Sequence, residues 1–204
     1  MKKYAVLHEP GDIVTLAGTR FVVLDVERRG SLPDSLFLLA LESVGASEFG
    51  SSNNYAESDL KKAVDKWLED MDKRGLDNAK LIPREIDLTT LDGSGCYGKL
   101  SVKAAPLTLD EAREYADIIP NAERWCWLAT GWSGPSKSDG DLALYVSSDG
   151  GWSSNCYCSS SYGIRPALKI PSDLLLDSAD KPDLSEVPTD TLLEEIRRRV
   201  VDKA

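Results

Sequence analysis

The sequence predicts an α+β fold in which two amphipathic helices pack on antiparallel sheets, with a further helix at the C-terminus. Three observations carry this. Short runs rich in branched and aromatic residues recur at 13–26, 36–41, 125–128, 142–146 and 164–170, each bounded by turn-forming residues. Two interior stretches repeat apolar residues at helical rather than alternating spacing, and a third such stretch closes the chain.

The first run reads as a hairpin, residues 13–17 and 21–26, turning at Gly18-Thr19. A polar turn is expected over 28–35. LFLLAL at 36–41 is then a continuous apolar run, consistent with a strand buried on both faces. Ser58 is placed to cap a helix whose Leu60, Val64, Trp67, Leu68 and Met71 form one stripe, and Gly75 to end it. Residues 81–102 are Gly-, Asp- and Thr-rich and predict a long excursion without regular structure. Thr108 and Glu111 make a capping-box pattern for a second helix running to about residue 117, before Pro120.

Strand character returns at WCWL, where Trp125 and Trp127, two apart, share a face of a regular strand and are assigned at least in part to the core. A loop through Gly131-Trp132-Ser133-Gly134-Pro135 leads to the strand LALYV. After the turn SDGG, residues 153–162 are drawn only from Ser, Asn, Cys and Tyr. The main domain is read as 1–171 and a linker as 172–188. In the terminal helix 189–204, Leu192, Leu193, Ile196 and Val200 share a face, with acids early and arginines late, the order that complements the helix dipole. A lone helix of this length is marginal in water, so it is expected to dock on its own domain, on a second copy or on a partner chain.

Composition narrows the function. At 204 residues with 42% hydrophobic and 28% charged content, the chain reads as one globular domain with an appendage. No apolar run reaches bilayer length, and the first residues are too short for a secretory signal, so a soluble protein, cytoplasmic as synthesised, is expected. A net charge of −10, with basic residues interspersed among acids, argues against nucleic-acid binding. Cys96, Cys126, Cys156 and Cys158 form no CxxC pair and are accompanied by a single histidine, so they read as free thiols with no metal and no cofactor. Cys156 and Cys158 would project on one side of a strand, which leaves a shared ligand open. His8, in a polar setting and far from any nucleophile motif, reads as a surface residue.

Several blocks in order, GDIVTLAGTRFVVLDV, WCWLATG, LYVSSDGG and YGIRPALKI, resemble an uncharacterised bacterial and phage family, domain of unknown function 6273. Its members carry a WWLR-type strand, a YV-x-x-x-G turn and a terminal GVRPAL signature. The likeness runs from residue 11 to residue 170. It implies a C-type-lectin-like fold, similar to retroelement-diversified variable proteins and to formylglycine-generating enzymes. On that resemblance Trp127 and Leu128 are structural, and so are Gly163, Ile164, Arg165, Pro166, Ala167 and Leu168, the Arg165 guanidinium being able to satisfy several buried carbonyls. The chain departs from the pattern where the usual Arg-Ser-Pro is Ala129-Thr130-Gly131, which puts the local loop conformation in question.

The same resemblance makes residues 152–162 a displayed face. Trp152, Ser153, Ser154, Asn155, Tyr157, Ser159, Ser160, Ser161 and Tyr162, extended by Trp132, combine rigid rings with adaptable hydroxyls and amides, the chemistry of a binding surface. The expected function is a non-enzymatic module binding a protein or glycan, as a variable protein of a diversity-generating retroelement or a receptor-binding protein of a phage or cell surface. The calcium motifs of lectins with this fold are absent. The alternatives are a cysteine- or copper-dependent oxidase and a structural protein of a phage particle.

Overall fold

The computed structural model describes residues 2–4, 8–29, 32–135, 137 and 139–178. The expected terminal helix lies outside the described residues. The architecture is α+β with mostly antiparallel sheets and few helices.

The first sheet has seven strands. The N-terminal strands are β1 (Lys2–Tyr4), β2 (Ile13–Leu16), β3 (Thr19–Arg29) and β4 (Leu32–Ala40). A tight turn at Ala17 and Gly18, both at positive φ, joins β2 to β3, the left-handed pair that suits a two-residue hairpin. The polar turn expected over 28–35 is shorter than that. Strand pairing continues to Arg29↔Leu32, with register shifts between Val23 and Asp25 and between Glu27 and Arg28, because the ladder is made by backbone groups and tolerates polar side chains. β13 (Ala167–Pro171) pairs with β4 and with the short β8 (Ala104–Ala105). Residues inside the stretch read as a linker form β14 (Leu175–Ser178), which pairs with both β1 and β2.

The second sheet has five strands in the order β11-β10-β9-β12-β5. They are β5 (Ala46–Glu48), β9 (Cys126–Gly131), β10 (Leu142–Val146), β11 (Trp152–Tyr157) and β12 (Ser161–Gly163). β12 runs parallel to β9, with Gly163 beside Cys126.

Residues 81–102 are irregular only in part, 88–98 forming turns and loop. They contain a two-stranded hairpin, β6 (Arg84–Asp87) with β7 (Lys99–Val102). Arg84, Ile86, Leu88 and Thr90 are buried while Glu85, Asp87 and Thr89 face out, an alternation hidden by the polar residues at both ends of the inward row. Buried Arg84 pairs with Glu111, donates to the Ala105 and Pro106 carbonyls at 3.1 Å, and lies over the Phe37 ring.

Strand alternation divides the interior into two cores. Leu36, Leu38 and Ala40 of β4 face one, with Trp127, Ala129, Ala143 and Tyr145; Phe37 and Leu39 face the other, with Leu128 and Leu144. Each core receives one helix. α1 (Asp59–Lys73) is capped by Ser58, whose hydroxyl accepts from Lys61 N at 2.9 Å, and it buries Leu60, Val64, Leu68 and Met71 in the first core. Gly75, at φ 101, follows its end. α2 (Leu109–Glu114) has the complete capping box of Thr108 and Glu111 and buries Leu109 and Ala112 in the second core. It ends three residues before the expected 117, since 115–118 continue only as turns.

His8 is buried rather than superficial, 4% exposed, with Nδ1 3.2 Å from the Asp12 carboxylate. The polar neighbours conceal this burial: Glu9 and Asp12 close a local turn, and the Asp12 carboxylate is the partner of the imidazole.

Candidate functional site

The segment 152–162 begins on the edge strand of the second sheet and ends inside it, Ser161 and Tyr162 belonging to β12, between β9 and β5. β11 pairs with β10 and is otherwise an edge strand: Trp152 lies opposite Val146 and Tyr157 opposite Leu142. The side chains of Trp152, Ser153, Ser154 and Asn155 lie outside the described residues. Tyr157 is 62% exposed. Immediately after it the backbone is fastened: Cys158 N donates to Asp141 O at 2.7 Å, and Cys158 O accepts from Phe49 N at 2.8 Å and Gly50 N at 3.1 Å. Ser159 and Ser161 are exposed and Ser160 is half-buried, its N–H donating to Tyr157 O at 2.8 Å.

These residues do not form one continuous patch. Trp132 lies beside Leu142, donating its N–H to that carbonyl at 2.9 Å, and its ring is half-buried against the second core near the Tyr157 end. Tyr162 instead belongs to a cluster of rings, 4.7 Å from Trp127, 5.2 Å from Tyr145 and 5.5 Å from Trp125 between centroids. Burial, and then the contact of its hydroxyl with the Cys156 thiol, push the Tyr162 phenol up to about 12.

Trp125 is the residue that sequence reasoning missed. It precedes β9, is 43% exposed, and stacks on Tyr145 at 5.0 Å and 19°. Trp127 is 1% exposed, and its indole N–H donates to Ser47 O at 2.9 Å. Both rings touch Tyr162, but only Trp127 lies within the strand that carries it inward. The sequence signal was available in the spacing of the two tryptophans; which of them stood at the strand end was not.

Beside Trp125 runs an open groove of about 460 Å³, lined by Glu123, Arg124, Trp125, Ser148, Ser161 and Tyr162, with Ala46 and Gly163 at its wall. Gly163 keeps this wall uncrowded: a Cβ would come within 2.8 Å of Cys126 Sγ and of Ser43 Oγ and 3.0 Å of Arg124 Cδ, so those side chains would have to shift. The groove therefore unites Ser161 and Tyr162 of the expected face with residues that sequence reasoning had left aside.

The supporting residues are placed as follows. Arg165 is 6% exposed; its Nε donates to Ala40 O at 2.9 Å and one terminal nitrogen to Pro120 O at 3.1 Å. Leu128 and Pro166 are buried, and Pro166 O accepts from Ala40 N at 2.9 Å. The departure at 129–131 is absorbed by the interior: Ala129 is buried, and Thr130 Oγ1 accepts from Leu109 N at 2.9 Å in the first turn of α2.

The thiols are all free, and they do not assemble into a reactive group. Burial pushes Cys126 up to about 11 and Cys158 up to about 12, so both stay protonated near neutrality. Among the described residues no group of three His, Cys, Asp or Glu side chains is arranged to hold a metal, and no helix is long and apolar enough to cross a membrane.

A family model, Domain of unknown function (DUF6273), matches residues 25–172. The chain belongs to this family. Neither the curated proteins nor the solved structures contain a match. The DUF6273 segment begins within β3 and ends just after β13, so it contains both helices, the whole second sheet and every residue of the groove.

Proposed function

We propose that this DUF6273 domain is a non-enzymatic ligand-binding module of C-type-lectin-like architecture, meeting a protein or glycan through residues 152–162. The observation that carries the reading is the contrast between Tyr157, 62% exposed on an edge strand, and the next residue, whose backbone is held by three hydrogen bonds. A ring presented from a fixed backbone offers contact area that loses little entropy when a ligand arrives. The serines that follow supply adaptable hydrogen bonds from the same turn. The composition of 153–162 suits a diversified face of the retroelement type or a receptor-binding face of a phage or cell-surface protein.

A thiol-based oxidase is less well supported, since burial keeps the Cys126 and Cys158 thiols protonated and Cys156 is packed against the Tyr162 hydroxyl. The reading is tested by replacing Trp152 and Tyr157 with alanine and measuring retention on immobilised glycans and peptides. Binding should be lost with the melting temperature unchanged. A melting temperature lowered by ~4 °C or more would instead assign the two rings to the interior and remove the reading.

A further inference from the structure

We infer that the groove beside Trp125 is a binding site for a neutral saccharide, one sugar ring lying on the free face of that indole. The inference rests on the ligand-binding reading above and narrows it to one ligand class and one place.

The platform is already in position. Tyr145 stacks behind Trp125 at 5.0 Å and 19°, and Tyr162 meets it edge-on at 5.5 Å and 61°. The backbone there is fixed as well, Trp125 O accepting from Gly163 N at 2.8 Å. Even so the indole remains 43% exposed, although a solitary tryptophan gains by burial. A large flat apolar ring, clamped on one side and open on the other, suits a ligand with a flat apolar face. The C–H face of a pyranose ring is one.

The rim decides between ligand classes. Ser148 and Ser161 each offer a donor and an acceptor, Arg124 offers donors only, and Glu123 offers acceptors only. Glu123 and Arg124 stand 3.5 Å apart, both about half exposed, so the rim carries no net charge. An anionic ligand would find the guanidinium already compensated and would be repelled by a chain of net charge −10. A proline-rich peptide, which also docks on aromatic grooves, presents carbonyl acceptors with few N–H donors and would use only the donor side of the Ser148 and Ser161 hydroxyls. Sugar hydroxyls are donors and acceptors at once and match every group on the rim. The volume of about 460 Å³ lies within the range of small-molecule sites.

The test uses the full chain against immobilised neutral di- and oligosaccharides, their sulfated and sialylated counterparts, and a proline-rich peptide. At least one neutral saccharide should bind, and Trp125→Ala should weaken it by about tenfold or more. Because Trp125→Ala removes a packed ring, Arg124→Gln serves as a second variant; it touches only the rim and should weaken the same saccharide with no change in melting temperature. Three results overturn the inference: no neutral saccharide retained at ~10 mM, capture of only the charged glycans or only the peptide, or saccharide binding that survives both variants. In the last case, loss of binding on Tyr157→Ala would leave the general ligand-binding reading standing while this site fell.

Discussion

Gly131 and the Asn53 side chain are in such close contact that a Cβ on residue 131 would lie 2.8 Å from the Asn53 amide carbon and 2.9 Å from its nitrogen. Asn53 is 1% exposed and holds the loop between β9 and β10. Its Nδ2 donates to Ser133 O and Leu142 O, both at 2.9 Å, and its Oδ1 accepts from the Tyr97 hydroxyl at 2.6 Å. Glycine at 131 is therefore the condition for this bracket. Gly131→Ala should destabilise the fold by about 1–3 kcal/mol, read as a lower urea midpoint with an unchanged slope.

Thr130 adds a second fastening at the same place. Its Oγ1 is the partner of Leu109 N, one of the N-terminal donors of α2 that no helical carbonyl can reach. Thr130→Val keeps the shape and removes the acceptor, leaving a buried N–H unpaired. The expected cost is about 1–2 kcal/mol, and Thr130→Ser should recover most of it in the same denaturation series.

Much of the scaffold was legible because local chemistry and tertiary packing agreed. LFLLAL could be read as doubly buried since alternate residues serve two cores, and Ser58, Gly75, Thr108 and Glu111 are caps whose signals are short-range. The hairpin at 84–102 was not legible, because its inward row begins with Arg84, whose burial depends on Glu111, Phe37 and two carbonyls distant in sequence. His8 failed for the opposite reason: its polar neighbours do form a local turn, yet that turn holds the Asp12 carboxylate beside a buried imidazole. In the site, the composition of 153–162 marked an unusual surface, but pairing decides which residues meet. Tyr162 is drawn into the Trp125 cluster while Tyr157 stays outside, and no periodicity distinguishes the two.

Arg165 tests the framework directly. Burial lowers its pKa, a sign of the desolvation that its two carbonyl partners must offset. Arg165→Met fills similar space but leaves Ala40 O and Pro120 O without their donor. A loss of about 2 kcal/mol or more is expected, with Arg165→Lys recovering only part because a single ammonium cannot reproduce the planar fork. Thermal or chemical denaturation of the three proteins checks this.

Alkaline stability follows from the buried thiols. An ordinary thiol ionises near ~8.5, whereas in the folded chain Cys126 is pushed up to about 11 and Cys158 up to about 12. With the folded values raised, the folded state holds its protons longer than the unfolded one. Stability is then full below the unfolded value and is lost as the pH rises towards 12. The Cys126→Ala, Cys158→Ala double variant should show a shallower decline over this window in urea titrations at successive pH values. In the native protein at pH 8, both thiols should react with a disulfide reagent far more slowly than exposed Cys96.

Tyr157 and Tyr162, five residues apart in a segment of one composition, should behave in opposite ways. Tyr157 contributes its ring to neither core and is mostly in solvent, so Tyr157→Ala should change stability by no more than about 0.5 kcal/mol. Tyr162 contacts Trp125, Trp127 and Tyr145, and its removal opens a gap under the groove; Tyr162→Ala should cost on the order of 2 kcal/mol. Ligand capture measured on the same pair separates contact from support. Loss of binding in Tyr157→Ala at full stability marks a residue that touches the ligand, whereas loss in Tyr162→Ala that scales with its destabilisation marks one that holds the surface in place. Equal destabilisation by the two substitutions would mean that the edge strand buries its ring in solution, and the displayed face would then have to be sought elsewhere on the second sheet.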